Sequence, residues 1–122
     1  MVTRILYVDD EADIREVAEM AIELDPAFEV RTCSSGAEAI LEVGAWRPDL
    51  ILLDVMMPGM DGPTVFARLK ERRDMAGIPV VFITARTQAH EVAAFRELGA
   101  RGVIAKPFDP MTLAEQVRAF LA

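Results

Sequence analysis

Two kinds of segment alternate along the chain. Five short runs are apolar and rich in branched aliphatic residues: RILYV (4–8), FEVRTC (28–33), LILLD (50–54), PVVFIT (79–84) and GVIAK (102–106). Such runs predict strands of a parallel sheet that is covered on both faces. Between them the spacing becomes helical. Ile14, Val17, Ala21 and Leu24 recur at three and four residues and predict one apolar helix stripe. Ser35 and Glu38 are spaced as a capping box for a second helix. Asp61-Gly62-Pro63 opens a third, which RLKERR closes with cations suited to its C-terminus. Thr87 is placed to cap a fourth helix that stops at Gly99, and Asp109 to cap a fifth with Pro110 in its first turn. Five β–α units joined by right-handed crossovers give a three-layer α/β/α sandwich. At 122 residues, with no repeat or linker, residues 1–122 read as one domain, and no output domain is expected after the fifth helix.

Composition narrows this only where it excludes something. One cysteine, Cys33, rules out an intramolecular disulfide and a zinc cluster, and fits a reducing cytoplasm. A formal charge of −7 argues against a nucleic-acid surface. No signal peptide and no apolar run of membrane length are visible. His90 is the sole histidine, so a multi-histidine metal site is excluded.

The chemistry lies where the strands end. Ligands of parallel α/β sheets sit beyond the carboxyl ends of the strands. Asp9 and Asp10 follow the first strand, Asp54 ends the third, Thr84 the fourth and Lys106 the fifth. All point to one edge of the sheet. Three carboxylates and one ammonium leave that edge net negative, which suits a hard divalent cation. Magnesium takes oxygen ligands, typically one or two carboxylates plus a phosphate, whereas zinc prefers nitrogen and sulfur. Beside such an ion, Asp54 is a carboxylate nucleophile, with Lys106 and Thr84 placed to stabilise a transferring phosphoryl group. The product is an aspartyl phosphate.

YVDDE, LLDVMMPGMDG, ITA and AKPF together resemble the receiver domain of bacterial two-component response regulators, in the manner of a chemotaxis-regulator-like single receiver. The resemblance runs the length of the chain in order and spacing. It implies a flavodoxin-like (βα)5 fold with parallel sheet order 2-1-3-4-5. It implies Asp54 as phosphoacceptor and Mg2+, with Mn2+ as a substitute, held by Asp10, Asp54 and the Met56 backbone carbonyl, with Asp9 helping through water. Thr84 becomes the switch hydroxyl and Lys106 the phosphoryl partner. The Lys106–Pro107 peptide becomes cis, and Pro58 and Gly59 shape the loop after the phosphoacceptor. The resemblance further implies a histidine kinase or a histidine phosphotransfer protein as phosphoryl donor, and a changed α4-β5-α5 partner face as output. No turnover of an outside substrate is expected, and neither nucleic acid nor a membrane is an expected partner.

One position departs from the family. The residue three before the lysine is usually aromatic and moves with the threonine; here it is Val103, which is short and stiff. Signalling is therefore expected to run through the loop from Thr84 to Thr87 and the fourth helix. Met56 and Arg86 occupy the positions that tune dephosphorylation, and neither can orient water as a carboxylate would. A fairly long-lived phosphoryl group follows. Two rivals stand beside this reading. A pseudo-receiver acting as an interaction module would keep the fold and ignore phosphate. An aspartyl phosphotransferase needs an acid where Met56 stands.

Each feature also has a plainer account. Asp9 and Asp10 could cap the first helix, Asp54 could be a turn residue, and Lys106 and Thr84 could be ordinary strand-end residues. Their joint register argues otherwise. Met56, Met57 and Met60 read as loop packing. His90 reads as exposed, Trp46 as packing at the end of the second helix, and Cys33 as a buried filler.

Overall fold

The computed structural model describes residues 2–122. Strands β1 (Thr3–Val8), β2 (Phe28–Cys33), β3 (Leu50–Asp54), β4 (Val80–Thr84) and β5 (Gly102–Ala105) alternate with helices α1 (Ala12–Glu23), α2 (Gly36–Trp46), α3 (Gly62–Lys70), α4 (Ala89–Leu98) and α5 (Leu113–Leu121). The five strands form one parallel sheet in the order β2-β1-β3-β4-β5.

Successive strand residues face opposite sides, and each side has its own core. Leu6, Val8, Ile51, Leu53, Val80 and Phe82 pack under α2, α3 and α4. Ile5, Tyr7, Leu50, Leu52, Val81, Ile83 and Ile104 pack under α1 and α5. This explains the unbroken apolar runs: both faces of β3 and β4 are wholly buried.

Ser35 caps α2, accepting the Glu38 backbone N–H at 3.2 Å. The reciprocal half of the expected box is absent, because the Glu38 carboxylate accepts from the Ser34 hydroxyl at 2.9 Å instead. Asp61 caps α3 through Thr64 N–H at 2.9 Å, and Gly99 closes α4 in the left-handed region.

Three local expectations are corrected. α4 is capped at Gln88, one residue after Thr87; the Gln88 N–H donates to Glu91 Oε1 at 3.3 Å, and a glutamate three residues on is what Thr87 lacks. Asp109 opens a turn rather than a helix. Its carboxylate accepts Met111 N–H and its carbonyl Thr112 N–H, so α5 begins only at Leu113. In α1 the buried residues are Ala18, Ala21 and Ile22, while Val17 and Leu24 are 42% and 62% exposed. Small residues let α1 lie close to the sheet, and that contact outweighs the larger side chains at the predicted stripe.

Candidate phosphoryl-transfer site

The strand ladder continues past the strand ends and fixes the site residues. Asp9 N–H donates to Cys33 O at 3.1 Å, Val55 N–H to Ile83 O at 3.1 Å, and Lys106 N–H to Thr84 O at 2.9 Å. The backbones that carry Asp9, Asp54, Thr84 and Lys106 are thus tied into the sheet. Gly62 N–H then donates to Val55 O at 2.9 Å and closes the loop after Asp54. A Cβ on Gly62 would lie 2.5 Å from Asp54 O, so glycine alone lets α3 start against the Asp54 backbone. Gly59 has φ +76°, the left-handed turn that this loop requires. The Lys106–Pro107 peptide is cis.

Asp9, Asp10 and Asp54 each present a carboxylate oxygen within 4.8 Å of the others. Asp9 is wholly buried, Asp54 is 3% exposed and Asp10 is exposed. Lys106 Nζ donates to Asp9 Oδ2 at 3.0 Å and to Asp54 Oδ2 at 3.4 Å, and lies 3.7 Å from Glu11. Asp9 is fully engaged. Its Oδ1 accepts Glu11 N–H at 3.0 Å, its Oδ2 also accepts the Tyr7 hydroxyl at 3.0 Å, and its carbonyl accepts Arg15 Nη1 at 2.8 Å.

One lysine does not balance this cluster. Burial first, then the Asp9 charge, pushes the Asp54 carboxyl up to about 6 against the pull of Lys106. Burial alone would lower the Lys106 ammonium. The hydrogen bond to Asp9 and the charges of Asp54, Asp9 and Glu11 outweigh it and raise the lysine above its ordinary value. The Tyr7 phenol is pushed well up, by burial and then by Asp9. A second cation would relieve this strain of charge, and the donors on offer are all oxygens, which fits a hard divalent ion.

Thr84 leaves the opposite face of the sheet from Asp54 and Lys106. It is 4% exposed, and its Oγ1 accepts Arg86 N–H at 3.0 Å. Strand alternation turns it, with Phe82, toward α3 and α4. There it lines a cavity of about 330 Å3 together with Val55, Met56, Arg86 and Phe95. Val103 is half-buried against the same core. Phe95 of α4 packs on Phe82 with centroids 4.9 Å apart and ring planes tilted by 41°.

The methionines divide. Met57 is buried and Met60 packs beside it, but Met56 is 73% exposed, so its side chain is not loop packing. Trp46 and Cys33 are buried and His90 is exposed. Burial pushes the Cys33 thiol up to about 12, which leaves it inert. The residue that sequence reading passed over is Tyr7. It looked like one more apolar strand residue, yet a strand residue two before Asp9 shares its face.

A model of the response regulator receiver domain matches residues 5–118. The transcriptional regulatory protein CseB of Streptomyces coelicolor is 38% identical over 119 residues, which cover 98% of this chain and 49% of that protein. The DNA-binding response regulator MtrA of Mycobacterium tuberculosis is 40% identical over 118 residues, 97% of this chain and 50% of that protein. The chain therefore spans about half the length of the curated relatives it matches. Among solved structures, the chemotaxis response regulator CheY4 of Vibrio cholerae superposes with a TM-score of 0.89 at 28% identity, covering 98% of this chain and 99% of that one. The signal receiver domain of a histidine kinase from Syntrophus aciditrophicus gives 0.82 at 32% identity, covering 98% and 90%.

Proposed function

The chain belongs to the response regulator receiver family, and from that premise we propose that it is a phosphorylation-dependent signalling switch with Asp54 as its phosphoacceptor. One observation carries the reading. Asp54 is a buried carboxylate at a strand end, held within reach of Asp9, Asp10 and the Lys106 ammonium. No structural role calls for that crowding.

In the proposed reaction an Asp54 carboxylate oxygen attacks phosphorus. The bond from phosphorus to the donor breaks, and the donor leaves with its electron pair. For a kinase or phosphotransfer protein the donor atom is a histidine nitrogen. Asp10, Asp54 and the Met56 carbonyl would hold Mg2+, with Asp9 behind them through water. When bound, the ion neutralises charge on the phosphoryl oxygens. Lys106 supplies the second cation to those oxygens, and Thr84 supplies a hydroxyl proton, which its acceptance of Arg86 N–H leaves free to donate. Residues 1–122 act as one receiver unit that turns over no outside substrate. Met56 and Arg86 orient no water, so the phosphoryl group is held for long periods.

The signal passes through the loop from Thr84 to Thr87 into α4 and the α4-β5-α5 face. Two features support this route in place of a moving residue 103. Thr84 and Phe95 share a cavity, and none of the described residues of α4 is buried.

Intact-mass measurement after incubation with Mg2+ and acetyl phosphate tests the proposal. The expected result is a gain of one phosphoryl group, absent in Asp54→Asn. No gain under conditions that modify a known receiver would favour the phosphate-independent interaction module.

A further inference from the structure

Tyr7 reaches the acidic site from inside the core. It lies on β1 two residues before Asp9, so both side chains leave the same face of the sheet. Its ring is wholly buried in the α1/α5 core and meets Phe108 edge-on, with centroids 6.3 Å apart. Its hydroxyl donates to Asp9 Oδ2 at 3.0 Å, and Lys106 Nζ donates to the same oxygen at the same distance.

A buried phenol needs a partner, so Asp9 could merely satisfy Tyr7. The geometry says more. Phenylalanine would fill the same volume and need no partner at all. The oxygen that Tyr7 engages is also the one Lys106 shares with Asp54, and the lysine leans toward Asp9, at 3.0 Å against 3.4 Å. A phosphoryl group on Asp54 adds charge and acceptor oxygens on the other side of Lys106. The lysine is then drawn toward the phosphoryl oxygens, and its hold on Asp9 Oδ2 weakens. Asp9 is wholly buried, and a buried carboxylate oxygen stripped of its donors is costly. Tyr7 is the second donor on that oxygen and does not depend on Lys106 for its position.

We propose that Tyr7 is a positioning residue of the phosphorylation site, whose hydroxyl holds Asp9 Oδ2 so that Lys106 can transfer from that oxygen to the phosphoryl group on Asp54. The inference rests on the receiver reading above. Tyr7 itself exchanges no proton or electron pair; it keeps one hydrogen bond in place while Lys106 changes partner.

Tyr7→Phe removes the hydroxyl and keeps the ring. Initial rates of phosphoryl gain from acetyl phosphate are measured by intact mass across a range of Mg2+ concentrations. At saturating Mg2+ the rate falls about five- to twentyfold, the scale of one hydrogen bond to a charged group. The Mg2+ concentration for half-maximal rate does not rise, because Glu11 N–H still orients Asp9. In a Lys106→Ala background the same change costs less than about twofold, since Tyr7 acts through Lys106. A merely structural role would lower the rate by the same factor in both backgrounds.

Tyr7 is the only tyrosine in the chain, which allows a second measurement that needs no substitution. With 3-fluorotyrosine incorporated throughout, the single fluorine resonance shifts when Mg2+ and beryllofluoride occupy the site, and the shift shrinks in Lys106→Ala. An unmoved resonance, or a Tyr7→Phe rate equal to wild type in a protein that does gain phosphate, overturns the role of Tyr7 alone. A wild-type chain that gains no phosphate removes the receiver reading and this inference with it.

Discussion

At the residue scale, Asp54 differs from most of the chain's carboxylates because it is buried beside another one. In the unfolded chain its pKa lies near 3.8, and in the metal-free fold it rises to about 6. A carboxyl group raised on folding binds its proton more tightly in the native state. Its contribution therefore favours folding at low pH and is withdrawn as pH rises through 6. In EDTA at pH 7.5, Asp54→Asn should be more stable than wild type by about 1–3 kcal/mol, from a shift of roughly two units. The advantage should fade toward pH 4, where the native carboxyl is protonated and the unfolded one, with its pKa near 3.8, is taking up its proton too. Denaturant unfolding of the two proteins from pH 4 to 8 checks this, and a difference constant across that range would contradict it. Asp9, Asp10, Asp54 and Lys106 were legible in the sequence because each is a charge set at the end of an apolar strand. The hydroxyl of Tyr7 was not, because an aromatic residue inside such a strand reads as core. Only the partner of its oxygen shows otherwise.

At the element scale, helix starts could be read where a local side chain bonds the backbone, as Ser35 and Asp61 do. They were misread where the deciding partner lies elsewhere. Thr87 has the better capping chemistry, yet Gln88 takes the position because Glu91 is three residues beyond it. The outward face of α1 was misread because hydrophobic spacing cannot say whether Ala18 or Val17 meets the sheet. Helix α4 is the loosest element. All of its residues are exposed or half-buried, and Phe95 packed on Phe82 is its main aromatic anchor. Few buried contacts mean a low free energy of local opening. Backbone amides of α4 should therefore exchange with deuterium well before those of α2, which buries Ala39, Val43 and Trp46. Phe95→Ala should lower global stability by only about 1–2 kcal/mol, less than a fully buried phenylalanine. The same change should remove most remaining protection in α4. Peptide-resolved hydrogen exchange tests both, and equal protection of α2 and α4 would count against the proposed signalling route.

At the scale of the whole molecule, the sheet separates two groups of side chains. Tyr7, Asp9, Asp54 and Lys106 belong to the α1/α5 side, whereas Thr84 turns to the α3/α4 side with its cavity. The carboxyl edge carries side chains from both sides, so a group bound there can reach both. A cation seated among the acids binds the folded chain and not the unfolded one, and stabilises it in proportion to RT ln(1 + [ion]/Kd). At one hundred times Kd that is about 2.7 kcal/mol. The proton is its competitor, because burial beside Asp9 pushes the Asp54 carboxyl up to about 6. Mg2+ should therefore raise the unfolding midpoint clearly at pH 7.5, weakly at pH 5, and little at either pH in Asp54→Asn. Sodium chloride of equal ionic strength controls for screening of the net charge of −7. A Mg2+ effect equal at the two pH values, or reproduced by that salt, would place the ion on the general acidic surface. An effect that follows the ionisation of Asp54 would place it at the strand ends, where one ion can neutralise the carboxylates and leave Lys106 free for a phosphoryl group.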